Sequence, residues 1–195
     1  SGRWTGVSFS PDGEIIAYLS DQAAVKLRDV RDGSLVKNFK AHNHGINSIS
    51  FSPDGKLLST GSKDNSVKLW RVKEGQLINT FQRHSNWVTK VKFSPNGKIL
   101  ASAGFDRNIN LWNTDNGTLE QTLKGHLGWV GSISFSPDGK TIASASRDGT
   151  VKLWKLDLKL DDFMNMGCSW LQDYLAIHPE EEELREICKQ QDLRN

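Results

Sequence analysis

The chain has 195 residues, 36% of them hydrophobic and 25% charged, enough apolar material for a packed core and too much for a disordered chain. No apolar run approaches the ~18 residues of a membrane-spanning helix, and Ser1-Gly2-Arg3-Trp4 lacks the features of a secretory signal, so a cytoplasmic protein with no membrane contact is expected. The net charge of +2 is unevenly spread, with 21 Lys and Arg against 14 Asp and Glu in residues 1–157, and 4 against 9 in residues 158–195.

The first turn signal is Phe9-Ser10-Pro11-Asp12-Gly13, and the pattern returns at 51–55, 93–97 (with Asn96) and 135–139, always 42 residues apart. Pro presets the backbone of a tight turn, and Gly closes it where a side chain would be strained. Within each period come short β-branched and aromatic runs broken by turn residues, as in Ile46, Ile49 and Phe51, then Leu57 and Leu58, then Val67 and Leu69. Trp70, Trp112 and Trp154 each end a Val/Ile-x-Leu-Trp run, and His42, His84 and His126 keep the same period. These coincident ladders define repeats of about 1–42, 43–84, 85–126 and 127–157, each a small antiparallel sheet.

These residues resemble the WD40 family over residues 1 to about 157, which implies an all-β propeller with one four-stranded blade per repeat. The Asp that follows the repeat Trp in the family is replaced by Arg71, Asn113 and Lys155. In the first repeat Tyr18, Gln22 and Arg28 stand where the others have Thr or Ser, Asp and Trp, so its polar network is expected to differ.

His42-Thr60-Asp64-Trp70, His84-Ser102-Asp106-Trp112 and His126-Ser144-Asp148-Trp154 each contain the residue set of a hydrolase triad. Recurrence in one register, with a Trp whose indole N–H needs an acceptor, points instead to structure. The resemblance implies a hydrogen-bonded tetrad that ties the strands and loop of a blade together. Gly139-Lys140-Thr141 lacks the earlier Gly of a phosphate-binding loop, having Ser134 there, and leads into a strand. Asn116-Gly117-Thr118 reads as turn chemistry. Cys168 and Cys188 have no paired Cys or His beside them, so no metal is expected, and nothing implies a cofactor.

In the family, the loop after each His and the residue before each tetrad Asp open onto one face. Carried over by position, these are Asn86, Trp87, Gly128 and Trp129, with Lys63, Phe105 and Arg147. Aromatics and Arg on an exposed rim suit a protein or peptide partner. Nucleic-acid binding is the competing class, but the positive charge of the repeats is dispersed instead of gathered in a stripe.

From Leu160 the spacing becomes helical: Phe163 and Met166, then Trp170, Leu171, Tyr174 and Leu175, then Leu184, Ile187 and Cys188. A short helical tail over 158–195 is therefore expected. It resembles the closing segment after WD40 arrays in large cyanobacterial proteins with NACHT-type or caspase-like domains, which implies the sensor or scaffold end of a signalling protein. The resemblance also assigns outer strands to about 33–40, 75–82 and 117–124. The blade near 129–154 is left with three strands, so the four repeats are expected to be part of a larger propeller whose missing blades lie upstream in a longer polypeptide, the alternatives being two copies joined into an eight-bladed ring, by self-association at the open edge, or a tail that covers that edge.

Overall fold

The computed structural model describes residues 6–20 and 23–156. The repeated turn sets the strand pairing. In the second repeat the Ser52 hydroxyl donates to Asp54 at 2.6 Å and accepts the Leu57 N–H at 2.9 Å, while the Gly55 N–H donates to the Ser52 carbonyl at 3.0 Å. Gly55 has a φ of 72°, a left-handed conformation that a side chain would strain. Ser10, Ser94 and Ser136 make the same pair of side-chain bonds in the other repeats.

The turns join strands into four antiparallel sheets of sequential neighbours. The first holds β1 (Val7–Phe9), β2 (Ile15–Ser20), β3 (Ala24–Asp29) and β4 (Leu35–Lys40). The second holds β5 (Ile46–Phe51), β6 (Leu57–Ser62), β7 (Ser66–Arg71) and β8 (Gln76–Gln82). The third holds β9 (Val88–Phe93), β10 (Ile99–Gly104), β11 (Ile109–Asn113) and β12 (Leu119–Leu123). The fourth has three strands among the described residues, β13 (Val130–Phe135), β14 (Thr141–Ser146) and β15 (Val151–Lys155). The first strand of each sheet packs against the first strand of the next, β1 on β5, β5 on β9 and β9 on β13, which is the arrangement of propeller blades.

The core lies between blades, because each blade buries one apolar face against its successor. Val67, Leu69 and Phe81 of the second blade pack with Val88, Val91, Phe93, Leu100 and Trp112 of the third. The aromatics of two outer strands meet the Trp of the following blade, Phe39 on Trp70 and Phe81 on Trp112, with ring centroids 4.8 Å apart in both pairs. The outermost faces have no such cover among the described residues. Val151 and Leu153 are 70% and 73% exposed, although Val67 and Leu69 at the same repeat positions are buried. Val7 and Phe9 are 61% and 57% exposed, whereas Ile49 and Phe51 are buried.

The first blade replaces the recurrent polar set with a pair of its own: Arg28 Nε donates to the Tyr18 hydroxyl at 3.0 Å, from the positions that hold Trp and Thr or Ser elsewhere. Gln22 and the expected tail, with Cys168 and Cys188, lie outside the described residues.

Candidate functional site

The three tetrads form closed chains of hydrogen bonds. Trp70 Nε1 donates to Thr60 Oγ1 at 3.0 Å, Thr60 Oγ1 lies 2.7 Å from His42 Nε2, and His42 Nδ1 lies 2.9 Å from Asp64. The Thr60 oxygen accepts from Trp70, so its own proton goes to His42 Nε2, and the imidazole proton must sit on Nδ1 facing the carboxylate. Trp112, Ser102, His84 and Asp106 repeat the chain at 2.9, 2.9 and 2.9 Å. Trp154, Ser144, His126 and Asp148 repeat it at 2.8, 2.7 and 2.8 Å.

Burial pushes the His42 pKa down against the opposing pull of Asp64, which favours the neutral ring. Asp64 is itself partly buried, which would raise its pKa, but the Ser66 hydroxyl and His42 outweigh this and hold it at about 2. Asp106 is shifted down by His84 in the same way, again against burial. The Thr150 hydroxyl, followed by His126, holds Asp148 far below the usual carboxylate range. The hydroxyls of Thr60, Ser102 and Ser144 are buried and engaged by an indole, so none can meet a substrate. Each tetrad ties the strands and the entry loop of its own blade together.

They also aim the loops above them. The carboxylates accept the N–H of the residue after each His, from Asn43 at 3.3 Å, Ser85 at 3.1 Å and Leu127 at 2.8 Å. The residue before each Asp donates its N–H to the loop carbonyl, Lys63 to Gly45 at 2.9 Å, Phe105 to Trp87 at 2.8 Å and Arg147 to Trp129 at 3.0 Å. Side chains from two distant stretches of each repeat are thus set side by side.

On this face the side chains form one continuous row. Lys63 Nζ lies 4.9 Å from the centre of the Trp87 ring, Trp87 lies 5.4 Å from Phe105, and Phe105 stacks on Trp129 at 5.0 Å with 6° between the planes. Trp87 is 42% exposed, Phe105 36% exposed, and Lys63 and Trp129 are half-buried. Together with Asn47, Thr89 and Gly131, these four residues line a cleft of about 110 Å³.

The other three residues expected on the rim do not line this cleft. Asn86 caps its own loop by accepting the Trp87 N–H at 2.7 Å. Arg147 is exposed. Gly128 fits where an added Cβ would lie 2.7 Å from the Asp148 nitrogen, so its smallness serves packing.

Asn47, Thr89 and Gly131 were not expected from the sequence, yet they occupy one repeat position, five residues after each His. Asn47 Nδ2 donates to the Val88 carbonyl at 2.8 Å, and the Thr89 hydroxyl bridges to the Val130 carbonyl, so both link neighbouring blades. Gly131 admits the Trp129 ring, whose nearest atom lies 2.8 Å from where a Cβ would be.

The family model described as WD domain, G-beta repeat matches residues 33–71, 75–113 and 117–155. The chain belongs to the WD40 family. Each match begins at or near an outer strand and ends on the Trp strand of the next blade, so the WD40 repeat straddles two blades. The three inner strands of the first WD40 blade lie before the first match, in keeping with its Tyr18 and Arg28. No curated protein matches the chain. WD40 repeats generally mediate protein–protein interactions. Among the described residues no His, Cys, Asp and Glu cluster could hold a metal ion.

Proposed function

We propose that this protein is a non-catalytic interaction scaffold, which holds a protein or peptide partner on the face that carries Lys63, Trp87, Phe105 and Trp129. The observation that carries this reading is the aromatic row itself. Large rings left substantially exposed by a fold that buries most of its apolar side chains are the material of interface hot spots. The tetrads beneath hold the loops in place, so little order has to be created on binding.

A partner recovered by pull-down should lose at least about tenfold in affinity with Trp87→Ala or Trp129→Ala, as expected for hot-spot residues. Lys140→Ala, on a turn between β13 and β14, should bind as the parent does. Normal binding by both aromatic variants in the folded state would show that the face has been misplaced. Binding to DNA or RNA that weakens steeply with salt would favour the nucleic-acid reading instead.

The sequence resemblance of residues 158–195 supports placing this scaffold in a larger cytoplasmic signalling protein. The exposed apolar faces of the first and last blades support self-association.

A further inference from the structure

The exposed faces of the first and last blades match the two sides of a contact that the chain makes three times within itself, β1 on β5, β5 on β9 and β9 on β13. Val25, Val67 and Ile109 share one repeat position on the third strand of a blade, Leu27, Leu69 and Leu111 share another, and all six are buried. Val151 and Leu153 continue both series in the fourth blade and are exposed. On the opposite side of a blade, Leu58, Leu100 and Ile142 are fully buried, while Ile16 at the same position of the first blade is half-buried. Phe9, which pairs with Ile16 across β1 and β2, is exposed along with Val7. In a stacked array each repeat is covered only by its neighbours, so these are the surfaces that a further blade would bury.

Smaller contacts stop at the same two places. Gly55, Gly97 and Gly139 each pack on the proline of the preceding turn, where an added Cβ would lie 3.4 Å from Pro11, 3.4 Å from Pro53 and 3.5 Å from Pro95. Among the described residues Gly13 has no such neighbour, and no following glycine meets Pro137. Ser48 Oγ accepts the Val91 N–H at 3.1 Å across a blade boundary. Ser132 holds the Ser48 position in the fourth blade and is exposed, and Val7 holds the Val91 position in the first.

The aromatic contact of the outer strands is missing from both sides together. Phe39 and Phe81 cover Trp70 and Trp112, but the first blade has Arg28 in place of that Trp, and its guanidinium donates to Tyr18 and to the Gly33 carbonyl within the blade. The fourth blade has no outer strand among the described residues to bring such an aromatic.

We propose that the fourth blade of one copy docks on the first blade of a second copy in the register of consecutive blades. Val151 and Leu153 then cover Val7, Phe9 and Ile16, Pro137 meets Gly13, and Ser132 Oγ accepts the Val7 N–H. The occupant is a second copy because its first blade supplies the matching position at each of these points. This rests on the reading that the chain self-associates and specifies which faces meet.

The test uses the full chain and two variants, Val151→Lys with Leu153→Glu, which blocks the last face, and Val7→Lys with Phe9→Glu, which blocks the first. All four side chains are exposed, so both variants should keep the parent's circular dichroism spectrum. Where the parent shows a light-scattering mass above 21.8 kDa, each variant alone should stay at 21.8 kDa. An equimolar mixture of the two should give a species of about twice that mass and none larger, because it keeps one intact face of each kind. Ser132→Ala added to the Val7→Lys, Phe9→Glu variant should weaken the mixed species by about twofold to tenfold, the worth of one hydrogen bond. A folded variant that associates by itself, a mixture that stays monomeric, or an unchanged affinity with Ser132→Ala would each overturn the proposed contact while the self-association reading stands. A parent that is monomeric at high concentration would overturn both.

Discussion

At the residue scale, each tetrad places an imidazole between a hydroxyl and a carboxylate and leaves no member spare. Asp106→Ala would strand His84 Nδ1 and the Ser85 N–H, and should destabilise the protein by about 2–3 kcal/mol in chemical denaturation. Ser102→Ala should cost a similar amount, because it removes the partner of both the Trp112 indole and His84. Hydrolase activity abolished by Ser102→Ala at unchanged stability would contradict the structural role. The same groups set a pH dependence. His42 has a folded pKa below its usual 6.5, so the unfolded chain takes up protons first, and stability falls as pH drops through that value. Asp64, held at about 2 in the fold, adds a second loss as pH falls from about 4 toward 2. Melting temperatures measured from pH 8 to pH 3 should therefore decline in two stages, and Asp64→Asn should flatten the lower one.

At the element scale, the outer strand of one blade is fastened to the Trp of the next. Phe81 is buried against Trp112, so Phe81→Ala should cost about 3–4 kcal/mol in urea unfolding. Phe81→Leu should cost only about 1 kcal/mol, since Leu123 occupies the same repeat position one blade on and is also buried. Strands and turns were legible in the sequence because they repeat: Phe, Pro, Gly and Trp recur in fixed register. The aromatic rim was legible through Trp87, Phe105 and Trp129, which are large residues at positions that the family resemblance placed on one face. Asn47, Thr89 and Gly131 were not legible for the opposite reason. A periodicity search finds positions that keep their chemistry, and this position changes from amide to hydroxyl to no side chain at all. The Tyr18–Arg28 bond was missed likewise, because the sequence showed a departure from the repeat without showing that the two departures meet.

At the scale of the molecule, three interfaces between consecutive blades are built from the same strand positions, and the two faces at the ends of the array carry those positions exposed. The 195-residue chain is expected to associate in solution, with a light-scattering mass above 21.8 kDa that rises with concentration. Val151→Lys with Leu153→Glu should lower that mass while changing stability little, since both side chains are already in water. A well-behaved monomer at high concentration would contradict this expectation. The face with Val151 and Leu153 differs from the face with Val7 and Phe9, so a contact of one with the other, as between consecutive blades, would be heterologous, head to tail instead of two-fold. An assembly of that kind has a direction. It stops growing only when the rotation from one copy to the next returns to the start, and otherwise it extends as a filament whose ends stay as adhesive as those of the single chain.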